Sequence, residues 1–304
     1  LSLTTFIRQK PVHDELMKHI KVPKFEVPWL MLPRLTTPKR AAYLGTAFDY
    51  ALRFWLERKY KGKIFPKKYL VAEHGLHMTN IVWSAVERRN YEAHILDAKK
   101  YLLTDAPAID NKFVAHCFQL AHLDQIYRQA RKPQSLVATV TNNEIVDIKR
   151  LLKQAISVWP EVKYYCFLNP TFGIASELVG GADADIIQDA MLVDIKCVVK
   201  VDLAEILKQL VGYAVLVKIS GEVDELSDKS SDYPLVSIGV YLARHGIFKT
   251  WLIEEIISPE SLEHLARFFV EQFEDEDDGY PGEPGDYGDI DPGYMYEWPG
   301  EEPH

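Results

Sequence analysis

Residues 177–201 read ELVGGADADIIQDAMLVDIKCVVKV, and the class of fold turns on whether this stretch is a hairpin. Its β-branched runs predict two strands, 177–187 and 191–201, joined by a tight turn at Gln188-Asp189-Ala190. Side chains alternate along a strand, so Leu192, Asp194 and Lys196 share one face, while Val193, Ile195 and Cys197 take the other. Asp183 and Asp185 likewise share a face of the first strand, and the turn brings Asp185 across from Asp194. Two acids and a lysine then converge on one patch. Charges on a packed sheet are costly unless paired or bound to metal. Carboxylate oxygens suit a hard cation, Mg²⁺ or Mn²⁺, beside a phosphate. Such an ion lowers the pKa of a bound water and polarises the phosphate, and Lys196 orients that water or neutralises developing charge. The plain alternative is a salt-bridge ladder on the solvent face of an edge hairpin.

The chain carries its own control. Residues 145–150, IVDIKR, nearly repeat the 192–197 segment LVDIKC. They follow TNNE, with Asn142 or Asn143 as a helix cap, and Ile145, Ile148, Leu151, Leu152, Ala155 and Ile156 recur at helical spacing. Asp147 and Lys149 then lie about 200° apart around a helix and cannot serve one ion. This copy reads as an ordinary helix with a solvated polar face.

Outward from the hairpin, the first half of the chain is helical. Periodic apolar residues predict helices over 41–60, 79–103 (capped by Thr79 or Asn80) and 111–132. KYYCFL (163–168) is β-rich, and 203–219 is helical. Residues 234–246 and 247–257 predict two more strands around His245-Gly246, and 258–273 a closing helix capped by Ser258 with Pro259 at its first position. The result is an α/β chain in the order strand, strand, strand, helix, strand, strand, helix, with a helical N-terminal elaboration.

Of the 44 Asp and Glu in 304 residues, 13 fall in residues 271–304, which hold no Lys or Arg, so 31 acids face 35 bases in the remainder. Residues 1–270 thus read as one mildly basic domain, with a helical part at 1–160 and an α/β core at 161–270. The glycine- and proline-rich remainder reads as an acidic disordered tail, either solubilising or competing with nucleic acid for a basic groove. No apolar run is long enough for a transmembrane helix, and the first residues do not read as a signal peptide. Cys117, Cys166 and Cys197 form no CxxC pair, which suits a reducing, cytoplasmic setting.

With its neighbours, the hairpin resembles the PD-(D/E)xK nuclease superfamily. GGADADII and LVDIK look like its acidic and (D/E)xK elements. KQLVGY (208–213) carries Gln209 and Tyr213 four apart on one helix face, similar to the QxxxY element of the RecB- and Cas4-like branch. The resemblance implies a restriction-endonuclease-like core, a mixed central β-sheet flanked by helices. It also implies a metal-dependent nuclease hydrolysing DNA, with a lean toward exonuclease or end processing by analogy. Asp185 and Asp194 would be metal ligands, with Asp183 the alternative to Asp185. The Ile195 carbonyl would be a further ligand and Lys196 the catalytic lysine. Gln209 and Tyr213 would organise the site or touch the nucleic-acid backbone. Where that branch carries GxxxH, residues 45–49 read GTAFD, so Asp49 is either a substitute ligand for Mg²⁺ or an exposed helix residue. Glu177 is an extra ligand or a strand-start charge. The branch's iron–sulfur cysteines and any GxxxxGK[ST] helicase motif are absent. DNA is the implied partner, with protein partners or a homo-oligomer open. The competing class is a non-cleaving nuclease-fold subunit of a repair, phage or defence complex.

Other candidates read more plainly. His74 and His77 are expected to be polar loop residues, and His116 and His122 core or surface histidines. Lys59, Lys61, Lys63, Lys67, Lys68, Arg88, Arg89, Lys99, Lys100, Arg128, Arg131 and Lys132 are either a phosphate-tracking wall or solvated faces.

Overall fold

Asp189 and Ala190 are both left-handed, with φ 47° and 66°. A two-residue turn of this hand matches the twist of an antiparallel hairpin, and it sets the register Gln188↔Met191, Ile187↔Leu192, Ile186↔Val193. The strands so joined are β3 (Ile186–Gln188) and β4 (Met191–Lys196). They lie at the centre of a six-stranded sheet in a computed structural model that describes residues 2–28, 31–67, 69–103, 109–131, 140–221 and 234–277. The sheet runs in chain order, β1 (Ile64–Phe65), β2 (Cys166–Leu168), β3, β4, β5 (Ser237–Leu242) and β6 (Ile247–Leu252). β1 and β2 are parallel, as are β4 and β5, and the other pairs are antiparallel. Of the tail expected to be disordered from residue 271, residues 271–277 are helical, and 278–304 lie outside the described residues, as do Lys68 and Lys132.

Helices cover both faces, so the sheet is buried on each side and the chain is α/β. One face packs under α3 (Ala41–Lys59), α4 (Val71–His77), α5 (Ala85–Lys100), α6 (Asn111–Gln129) and α7 (Asn142–Val158). The other packs under α1 (Leu3–Phe6), α2 (Lys10–His19), α8 (Gly173–Leu178), α9 (Leu203–Ser220) and α11 (Pro259–Asp277), with the short α10 (Ile253–Ile256) following β6. The period-two reading of β4 holds: Val193 and Ile195 join the first core and Leu192 the second. No helix among the described residues is long and apolar enough to cross a membrane.

Several expected boundaries move. The extended run expected from residue 177 is broken. Residues 173–178 are helical, and Gly180 and Gly181 hold φ of 71° and 113°, which glycine adopts without a Cβ clash. The Ser176 hydroxyl accepts the Phe172 N–H at 2.8 Å and donates to the Ala182 carbonyl at 3.1 Å, closing the loop locally. The strand expected over 247–257 ends at Leu252, where the Glu255 carboxylate accepts the Leu252 N–H and starts α10. α5 starts at a Ser84–Glu87 capping box rather than at Thr79 or Asn80, and α7 starts at a Thr141–Glu144 box rather than at Asn142 or Asn143. His74 and His77 are exposed on α4 rather than in a loop. Gly75 between them lets α4 lie on α6, since a Cβ there would meet the Leu123 carbonyl oxygen at 2.2 Å.

The control copy is helical as expected, but its face is not solvated. Asp147 is fully buried and takes two hydrogen bonds from the Arg244 guanidinium, at 2.6 and 2.9 Å. It also accepts the Leu35 N–H at 3.1 Å. Lys149 does reach the surface and bonds Asn111.

His122 is a core histidine, bonded through Nδ1 to the Tyr91 hydroxyl at 2.8 Å. Burial, with the Arg40 charge nearby, lowers its imidazole to about 4 from an ordinary 6.5. Between those values the unfolded chain binds more protons, so the stability is full above about 6.5 and is lost as pH falls through about 4. Urea unfolding of wild type is therefore expected to weaken across that window by roughly 3 kcal/mol more than that of His122→Gln. Equal slopes against pH would remove His122 as the titrating group.

Candidate active site

Continuing the β3–β4 register by one step sets Asp185 opposite Asp194. At that point the strand pairing stops, and the Asp185 side chain takes over from the backbone: its Oδ2 accepts the Ile195 N–H at 2.6 Å. The N–H and C=O of one strand residue point to the same edge, so the Ile195 carbonyl also faces the Asp185 side. Asp185 and Ile195 line a cleft of about 270 Å³ together with Asp49, Asp124, Arg128, Asp183, Gln209 and Tyr213. The rim includes Ser2, Leu3 and Thr4, anchored by the Leu3 N–H to the Gly181 carbonyl at 3.0 Å.

Asp194, 2% exposed, and Lys196 are not among the lining residues and stand behind them, Asp194 opposite Asp185 in the strand register. Asp194 Oδ1 accepts from Lys196 Nζ at 2.8 Å, and the same ammonium donates to Gln209 Oε1 at 2.9 Å. Gln209 Nε2 donates to the Tyr213 hydroxyl at 3.0 Å, which in turn donates to the Asp183 carbonyl at 2.7 Å. One chain of hydrogen bonds thus joins β4, two successive turns of α9 and the loop before β3. Burial pulls the Lys196 ammonium down, but the Asp194 and Asp185 charges more than offset it and its pKa is raised.

The opposite wall comes from two helices that each carry an acid four residues before an arginine. On α3 Asp49 pairs with Arg53. On α6 Asp124 accepts from Arg128 Nε at 2.6 Å and from the Tyr50 hydroxyl at 3.0 Å. The Arg128 fork also reaches Asp183, at 2.9 and 3.3 Å. Asp183 is therefore occupied by an arginine, while Asp185 receives only a backbone N–H in the described hydrogen bonds. Asp49 is part-buried and ion-paired rather than an exposed helix residue. Glu177 is exposed on α8, away from the cleft lining.

Asp49, Asp124, Asp183, Asp185 and Asp194 face Arg53, Arg128 and Lys196, so five carboxylates meet three cations. Burial, then the charges of Asp194 and Asp49, push the Asp185 carboxyl up to about 8, and burial raises Asp49 as well. Asp194 Oδ2 and Asp49 Oδ1 are buried without a hydrogen-bond partner. Unpartnered carboxylate oxygens beside an acid excess fit a divalent cation bound through oxygen. Asp185, Asp194 and the Ile195 carbonyl are the group that would hold it. Asp49 also lines the cleft, on α3, and its carboxylate is paired with Arg53.

The expected basic wall is divided. Lys99 bonds Glu73, Lys100 bonds Asp97, Lys63 bonds the Val162 carbonyl and Lys59 lies on the Trp55 ring. Arg88, Arg89, Lys61 and Arg131 are exposed, and Arg128 belongs to the cleft. Asp124 and Arg53 were not among the expected site residues. The Asp-x₃-Arg spacing shared by α3 and α6 is the signal that marks them, an i,i+4 pair on one helix face.

No family model, curated protein or solved structure matches this chain.

Proposed function

We infer that the chain is a metal-dependent nuclease of the PD-(D/E)xK superfamily, with a restriction-endonuclease-like core, hydrolysing DNA phosphodiester bonds. The observation that carries this reading is the hydrogen-bonded chain Asp194–Lys196–Gln209–Tyr213 beside Asp185. The DxK pair, the acid just before β3 and the QxxxY pair come from three different segments within residues 185–213, and hydrogen bonds link them. A salt-bridge ladder on a solvent face would not bury Asp194 or leave one of its oxygens unpartnered.

A bound Mg²⁺ or Mn²⁺ would supply Lewis-acid polarisation of the phosphate and a water of lowered pKa. The protein's own groups do the rest. Asp185 and Asp194 offer oxygen ligands on neighbouring strands. Asp194 and Gln209 hold the Lys196 ammonium from two sides, charged and fixed in direction, where it can meet charge developing on the phosphate at little reorganisation cost. Tyr213 ties Gln209 to the loop that carries Asp183 and Asp185. End processing and exonuclease action rest on likeness to the QxxxY branch.

The test is cleavage of linear and circular DNA, single- and double-stranded, with Mg²⁺ or Mn²⁺. Cleavage that depends on the metal and disappears in Asp194→Asn is expected. Tight DNA binding with no cleavage under either metal would instead favour a non-cleaving subunit. Gln209→Ala leaves Lys196 with one acceptor, so kcat is expected to fall about 10- to 100-fold with KM nearly unchanged, as for outer-shell partners of catalytic groups. An unchanged kcat would leave Gln209 a packing residue only.

A further inference from the structure

A second group of ligand-type side chains lies outside the cleft. Glu15 and His19 are one turn apart on α2, and His264 projects from α11. Among the described residues this is the trio of His, Cys, Asp or Glu whose ligand atoms all fall within 4.8 Å of one another. Glu15 Oε1 lies 3.2 Å from His19 Nε2 and 2.9 Å from His264 Nε2. Tetrahedral zinc with bonds of 2.0–2.1 Å sets neighbouring ligand atoms about 3.3 Å apart, so Glu15 Oε1 already stands near that edge length from each imidazole nitrogen, and the two nitrogens lie within 4.8 Å of each other.

The surroundings favour this use. Ser261, one turn before His264, puts its hydroxyl 3.0 Å from His19 Nδ1. A ligating histidine commonly carries such a partner on its other nitrogen, which fixes ring and tautomer. Ser258 donates to the same Ser261 oxygen at 3.2 Å, which orients it. Lys18 takes Glu15 Oε2 at 2.7 Å and leaves Oε1 toward the two imidazoles. Lys18 is mostly solvated, so its charge is screened from an ion at Oε1. The side chains are between 17% and 47% exposed, which leaves an entry path and a fourth position for water.

We propose that Glu15, His19 and His264 form a binding site for a divalent transition-metal ion, zinc above all, that clips α2 to α11. Two imidazoles and one carboxylate suit zinc, copper or nickel and are a poor match for Mg²⁺. Residues 249 apart in sequence are joined, and a clip that closes a long loop stabilises more than one that closes a short loop. The site holds the helix next to α1, whose residues rim the cleft. It is independent of the nuclease reading and survives that reading's failure.

Co²⁺ titration of the metal-stripped full chain tests it, read by visible d–d absorption and by zinc displacement, with Asp194→Asn included to remove the cleft's share. One equivalent of Co²⁺ with a four- or five-coordinate spectrum is expected in wild type and in Asp194→Asn. His264→Ala and Glu15→Gln should weaken zinc by more than about 100-fold, and Ser261→Ala by about 10-fold without changing the spectrum. Zinc at 100-fold above its Kd should raise Tm by roughly 5 °C in wild type and not in His264→Ala. Absence of the Co²⁺ band, or affinity equal in wild type and His264→Ala, overturns the proposal. Should His264→Ala fail to fold, Ser261→Ala decides: unchanged zinc affinity there also overturns it.

Discussion

Asp194→Asn is expected to lower metal-dependent DNA cleavage by about 10³-fold or more in single-turnover assays, with thermal unfolding close to wild type. The asparagine keeps the volume and an oxygen for Lys196, so the packing at a residue only 2% exposed survives. What disappears is one of the two close carboxylates that would hold the cation, and the charge that keeps Lys196 protonated. Lys196→Ala should lose a similar factor. Because both act through one site, the double variant should be no worse than the weaker single, as groups that work as a unit are non-additive. Asp194→Asn cleaving within twofold of wild type would sink the site assignment. Asp183→Asn is the comparison: its carboxylate is held by Arg128, so a much smaller loss is expected there than at Asp185.

The second large effect concerns stability and comes from the control copy. Asp147→Ala is expected to destabilise the protein by about 3–5 kcal/mol in guanidinium unfolding, because it strands a buried guanidinium. Arg244 is 1% exposed and its partner 0% exposed, so neither charge can turn to water. The guanidinium also meets the Pro33 carbonyl at 3.5 Å and the Cys197 thiol, and neither carries a full balancing charge. The pair Asp147→Leu with Arg244→Met should recover most of the loss, since the cost is the unpaired charge rather than the missing bridge. Lys149→Ala, two residues away on the exposed face, should stay within about 0.5 kcal/mol of wild type. An Asp147→Ala loss as small as that of Lys149→Ala would show that the buried pair is not holding the helices onto the sheet.

The two DIK copies show how far a sequence can be read. Helical period separates Asp147 from Lys149 and strand period aligns Asp194 with Lys196, and both readings follow from local geometry alone. Whether Asp147 met water was not local. It depends on Arg244, 97 positions away, and the period of α7 is the same for a solvated acid and a buried one. The QxxxY pair was visible as an i,i+4 face, but the bond from Lys196 to Gln209, and through Tyr213 to the Asp183 carbonyl, needed α9 laid across β4. Asp124 and Arg53 escaped because an Asp-x₃-Arg pair on a helix is an ordinary surface pattern. Only the packing of α3 and α6 over the sheet turns both pairs into one wall.

Strand period, turn chemistry and helix caps are properties of a few neighbouring residues. They determined the central hairpin, the alternation along β4, the longer helices and the shared face of Asp194 and Lys196. The tertiary structure decided what depends on distant groups meeting: the pairing of Asp183 with Arg128, the five acids around three cations, the burial of Asp147, and the approach of His264 to Glu15 and His19. The physical reason is range. Backbone conformation follows steric and hydrogen-bonding rules within about a turn, whereas the cost of a charge is set by whatever surface the rest of the chain brings against it.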